Sequence, residues 1–164
     1  MRTIKAQSLW QPWAHLIAVG AKRYETRNWR TDYRGPVAIH AAQHWTVRMA
    51  LQCYEEPFFK ILSRAGTRFP ARCDHTKLQT LGLDFGAIIA VAELVDIQRT
   101  EHILPQLGPQ EIAFGDFRHG RFAWLYENAV RLDNPMPCIG KQRLFNAPPE
   151  FAIIVATITW KPRP

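Results

Sequence analysis

Ser8–Ala42, SLWQPWAHLIAVGAKRYETRNWRTDYRGPVAIHAA, decides the architecture, because it passes from a helical to an extended pattern and then through a marked turn. Pro12 suits the first position of a helix, where its missing N–H costs nothing. Trp13, Leu16 and Ile17 then recur at i, i+3 and i+4 and predict one buried helical face. Gly20 follows, suited to the left-handed residue that closes a helix, so 12–19 is predicted to be a two-turn helix. Lys22–Trp29 is rich in Tyr, Thr and Trp and predicts a strand. Along it Glu25, Arg27 and Trp29 share one face, and Tyr24 and Thr26 the other. Asp32, Arg34, Gly35 and Pro36 mark a turn, and Val37–Ala42 is a short apolar strand.

Upstream, residues 3–9 predict an opening strand. Downstream, His44–Ala65 has a helical pattern broken at Pro57, and Arg64–Gly82 is predicted to be a long loop. Gly86–Ile97, GAIIAVAELVDI, is too apolar at its start for a surface strand and is expected at the centre of the sheet. Residues 105–120 hold turn signals with a short helix near Gln110. Arg121–Leu132 predicts a strand that Pro135 and Pro137 end. Residues 138–150 are expected to be irregular, and Ile153–Trp160 a last strand. About six strands, with helices inserted between the early ones, predict an α+β fold built on a small barrel-like sheet, as a single domain over 1–164.

Composition narrows the functional classes. Of 164 residues, 47% are hydrophobic and 21% charged, which is globular rather than disordered. The formal net charge is +7, and its placement is uneven. Residues 1–50 hold eight Lys/Arg against two acidic groups, so nearly the whole excess sits in the first third of the chain. A basic segment inside a folded domain attracts polyanions, and nucleic acid is the commonest of these in a cell. Cys53, Cys73 and Cys138 form no CxxC and cannot all pair, which argues against a disulfide scaffold and fits a reducing cytoplasm. The histidines show no metal-ligand spacing, and no P-loop or nucleophile elbow is present, so neither metal nor cofactor is expected. The opening residues lack a signal-peptide core and no run has membrane-spanning length. The expectation is a soluble, cytoplasmic, monomeric protein.

Three elements of the 8–42 stretch resemble the ASCH domain, a branch of the PUA-like β-barrels: Ser8-Leu9-Trp10-Gln11-Pro12-Trp13; Gly20-x-Lys22-x-x-Glu25-x-Arg27; and Trp29-x-Thr31 with Arg34-Gly35-Pro36 and Ile39-His40-Ala41. Gly86–Ile97 matches the strand after that family's variable middle. The resemblance implies a PUA-like small β-barrel whose cleft is lined by the signature residues. It also implies RNA or DNA binding, with RNA or a single strand favoured, or binding of a modified nucleoside. Some members are ribonucleases or amidohydrolases acting on N4-acetylcytidine. Those amidohydrolases resemble this chain at Lys22 but carry threonine at the position of Glu25, and use a glutamate from a later segment, for which Glu111 is the candidate.

The chemistry of these residues leaves binding and catalysis both open. If Lys22 and Glu25 converge in a cleft, the lysine can hold a phosphate or polarise a carbonyl. The carboxylate can then accept from a base amine or act as general base on water. An exposed ion pair is the plain alternative. Arg27 shares a strand face with Glu25 and can be its structural partner. Arg30 and Arg34 flank the turn as candidate phosphate contacts. Trp29 is a candidate stacking platform, and Trp13 fits the helix's buried face. Ser8 and Gln11 either contact the ligand or cap the helix. His40, in an apolar strand, reads as a core histidine. Asp116, Arg118, His119 and Arg121 form either a second cleft wall or a solvated hairpin tip. Binding is favoured over turnover, because without the hydroxyl hydrolysis would need a water held by Glu25.

Overall fold

The computed structural model describes residues 3–64 and 81–160. Most of the loop expected at 64–82, including Cys73, lies outside them. Six strands form one mixed sheet: β1 (Lys5–Leu9), β2 (Tyr24–Arg27), β3 (Gly35–Ala41), β4 (Ala87–Arg99), β5 (Phe122–Pro137) and β6 (Leu144–Asn146). Their order across the sheet is β2-β5-β4-β3-β1-β6. Neighbours run antiparallel except β1 and β3, which are parallel with Ser8 opposite His40. Between these strands lie α1 (Trp13–Ala18), α2 (Val47–Gln52), α3 (Phe58–Leu62), α4 (Thr100–Ile103) and α5 (Pro109–Ala113), and α6 (Phe151–Ala156) follows β6.

The sheet curls into a half-barrel, giving the expected α+β, PUA-like architecture. The curl is visible in contacts between strands that are not neighbours. Tyr126 on β5 donates its hydroxyl to Gln7 Oε1 on β1 at 2.6 Å, across the inside of the curl. Arg27 on edge strand β2 reaches the Ser8 carbonyl at the end of β1 at 2.9 Å. That second bond bridges the open seam of the barrel.

Two apolar layers hold the sheet. On the inner face Leu9, Val37, Ile39, Ile89 and Trp124 pack with Ala14, Ile17 and Ala18 of α1. On the outer face Ala38, Ile88 and Val91 pack against Phe145 and against Phe151 and Val155 of α6. β4 is apolar on both faces because it contributes to both layers, as expected of a central strand. A third cluster ties Leu16 of α1 to Phe58, Leu62 and Phe114. Gly20, at φ +74°, ends α1 as its position predicted.

Three expectations fail. Ile153–Trp160 is not a strand. Its β-branched residues mask an i, i+4 pair, Phe151 and Val155, which are 0% and 8% exposed while Ile153 is 56% exposed, and they turn into a helix that lids the outer layer. The sixth strand is instead Leu144–Asn146, inside the segment expected to be irregular. Nor do Pro135 and Pro137 end β5, which runs through both. β2 pairs only as far as Leu125, so beyond it no strand among the described residues pairs with that edge of β5, and a missing N–H there breaks no ladder bond. Among the described residues no helix is long and apolar enough to cross a membrane.

Candidate functional site

The seam between β2 and the end of β1 opens as a cleft of about 430 Å³. Glu25, Thr26 and Arg27 of β2 form one wall, and Ser8–Trp10 and Trp13 face them. Residues 113–116 and Arg121 close the far side. Local sequence explains the placement. Gly20 stops α1 and redirects the chain. Lys22 N then bonds back to Leu16 O at 3.1 Å, which starts β2 beside the helix.

Lys22 is not a cleft wall. Its side chain is wholly buried, with Nζ donating to the Tyr24 carbonyl, to the Phe114 carbonyl at 3.0 Å, and lying 3.5 Å from Glu25 Oε2. Burial lowers its pKa, with Glu25 and then Glu111 opposing the shift. Glu25 takes Lys22 on one oxygen and Arg27 Nε at 3.3 Å on the other, and its side chain remains 14% exposed to the cleft. Arg27 and Glu25 therefore stand side by side as the cleft's polar floor, with Lys22 bracing the carboxylate from beneath. Glu111 does approach this cluster. Its carboxylate accepts the Arg23 and Tyr24 backbone N–H groups at 3.1 and 2.9 Å and so anchors α5 to the start of β2.

The other candidates separate. Gln11 is buried; its Oε1 accepts His15 N–H and its Nε2 donates to the Asp84 carbonyl, so it caps α1. Ser8 Oγ meets His40 Nδ1 at 3.0 Å, and His40 Nε2 meets the Cys138 carbonyl at 3.0 Å. Because a carbonyl only accepts, Nε2 carries the ring proton and Ser8 donates to Nδ1. Arg30 pairs with exposed Asp32, and Arg34 bonds the Thr31 and Tyr33 carbonyls; neither lines the cleft. Trp29 packs edge-on against Trp124, centroids 4.6 Å apart, and lines an adjoining groove. The 116–121 segment divides. Asp116 and Arg121 line the cleft, whereas Arg118 and His119 are exposed at the tip. Arg118 hydrogen bonds hold the Asp116 carboxyl down at about 2.

Sequence reasoning missed Trp10, Thr26 and the 138–143 segment. Trp10 is 53% exposed at the mouth of the cleft, and only its place beside the Gln-Pro-Trp motif hinted at a role. The 138–143 segment is pinned by close approach. A Cβ on Gly140 would lie 2.4 Å from His40 Cε1 and 2.6 Å from Ser8 Oγ. Since the imidazole is held at both nitrogens, the segment must move instead. Gly140→Ala is expected to cost about 1–3 kcal/mol, read by urea unfolding; an unchanged midpoint would refute the close packing.

The ASCH domain family model matches residues 8–136. The ASCH protein of Zymomonas mobilis superposes with a TM-score of 0.51 at 15% identity, covering 95% of this chain and 96% of that one. Its tyrosine-to-phenylalanine variant gives 0.53 at 16% identity, covering 95% and 99%, and its serine-to-alanine variant 0.50 at 16%, covering 95% and 96%. At that identity the likeness is one of fold. A search of curated proteins finds no match. The family match spans well over half the chain, from the end of β1 to residue 136 near the end of β5, and takes in the whole Glu25–Arg27 wall, so the chain belongs to the ASCH domain family.

Proposed function

We propose that this chain is a nucleic-acid-binding ASCH domain that holds a base of RNA, or of a modified nucleotide, in the seam cleft. The observation that supports this is the Glu25–Arg27 pair facing Trp10 and Trp13 across the cleft. A carboxylate accepts from an exocyclic amine, and an adjacent guanidinium donates to a ring carbonyl or a phosphate. Together they match the edge of a nucleobase, while indoles offer stacking faces. Arg121 adds a second cation to the same cleft.

Hydrolysis through Lys22 and Glu25 draws less support. The ammonium's protons are committed to two carbonyls and the carboxylate, and Glu25 already faces a cation on each oxygen, which leaves neither oxygen free to hold an attacking water. Anisotropy of a labelled single-stranded RNA is the test. Affinity is expected to fall with salt at about 0.7 log units per log unit for each phosphate neutralised. Arg27→Gln should weaken binding by roughly tenfold or more, the scale of a lost charge-assisted bond. N4-acetylcytidine should remain intact on incubation. Salt-independent binding, or full affinity in the arginine variant, would sink the reading.

A further inference from the structure

We propose that the ligand is a single strand of at least two nucleotides rather than a free nucleoside, its second base lying in a groove that adjoins the cleft. This rests on the base-binding reading of the cleft. The groove, about 440 Å³, shares Ser8, Trp10 and Arg27 with the cleft. Its other walls are Asn28 and Trp29, continuing from β2, and Lys141, Gln142 and Arg143 on the opposite side. The two cavities are thus neighbours across one ridge, and that ridge carries a guanidinium.

The materials of the groove fit a nucleotide. Trp10 stands half exposed at the ridge, its ring tilted against His44 with centroids 4.8 Å apart, so that one indole borders both cavities. The Arg143 guanidinium lies 5.6 Å from the centre of the Trp29 ring, a cation–π geometry that keeps a planar cation beside an aromatic plane. Lys141 and Arg143 are exposed, and among the described residues neither is ion-paired with a carboxylate. A phosphate joining two bases would cross the ridge at Arg27 with Lys141 and Arg143 facing it. A free nucleoside would leave all of this unused.

The groove is also built to a fixed width. Ser8 Oγ, His40 and the Cys138 carbonyl form a hydrogen-bonded chain from β1 through β3 to the segment that bears the two cations. Gly140 packs directly on that chain. The 141–143 wall is therefore held at a set distance from Arg27 before any ligand arrives, which lowers the ordering cost of binding.

Competition titrations with cytidine, cytidine 5′-monophosphate, the dinucleotide and the tetranucleotide, in ribo and deoxy forms, test the proposal. The dinucleotide is expected to bind roughly 5- to 150-fold more tightly than the mononucleotide, the scale of one stacked base. The double variant Lys141→Gln, Arg143→Gln changes only exposed side chains. It should remove most of that gain while leaving the affinity for cytidine, which carries no phosphate, unchanged. A gain in both sugars, or in one, supports the strand and says which backbone it carries. Measurable mononucleotide binding with no gain at the dinucleotide would overturn the strand and leave the cleft reading intact. Failure of every ligand to bind would overturn the cleft reading, and the strand with it.

Discussion

Lys22→Ala is expected to lower the stability of the fold by about 3–5 kcal/mol, the cost of breaking a buried ion pair by removing one partner. Three groups lose their donor at once. Among the described residues, the Tyr24 and Phe114 carbonyls are left without this donor, and Glu25 keeps only Arg27. Each orphaned acceptor adds its own desolvation cost. Lys22→Met separates packing from charge, since it keeps a stem of similar length without the ammonium; it should still lose most of the same amount. Equilibrium urea unfolding measures both. A loss under about 1 kcal/mol would mean that the ammonium is solvated, as in an exposed pair. The signature lysine is then a ligand group after all, and the roles of Lys22 and Glu25 must be exchanged.

That division of labour explains what could be read from the residues and what could not. The Lys22–Glu25 spacing announces a pair, but residues three apart in an extended segment point to opposite faces. They meet here because Lys22 precedes β2, in the turn that Gly20 opens, and only Glu25 lies on the strand. Strand alternation correctly put Glu25 and Arg27 on one face. It could not show that the face borders a seam, because the Arg27–Ser8 contact joins residues brought together by the curl of the sheet. Helix α1 was legible because its i, i+3, i+4 face is closed by Gly20, and β4 because it is a long apolar run opened by Gly86. Residues 138–160 were not. β-branched composition outweighed the Phe151–Val155 spacing, and β6 is three residues long with its pairing set by β1 alone. The second groove depends on that same region, so nothing local in the sequence announced it. The early cluster of positive charge, in contrast, belongs only partly to the site: Arg27 lines the cleft, but Arg30 serves its own turn, and Arg34 that turn and Asp96 of β4.

Mild acid is expected to destabilise the protein by about 3 kcal/mol between pH 6.5 and pH 4, through His15. This residue is 2% exposed in α1, and burial, with a smaller push from the Arg131 charge on β5, lowers its pKa from 6.5 to about 4. The folded protein therefore holds His15 neutral across a range in which the unfolded chain is protonated. Its contribution is complete above pH 6.5 and is lost as the pH falls toward 4, by up to about 1.4 kcal/mol per unit. His40, also lowered by burial, acts with the same sign. Asp116, held near 2, contributes only below this window. His15→Leu fills the site with an apolar group of similar size and removes the titration, so its unfolding free energy should vary with pH by only the smaller amounts that His40 and, near pH 4, the lowered Glu101 carboxyl leave. Equal pH slopes in the two proteins would reject the assignment. The consequence reaches the cleft, because the His15 N–H holds the Gln11 side chain and Trp13 of the same helix forms the cleft wall. A proton forced onto His15 loosens α1 from the sheet, so ligand affinity should fall over the same pH range in the parent protein and persist to lower pH in His15→Leu.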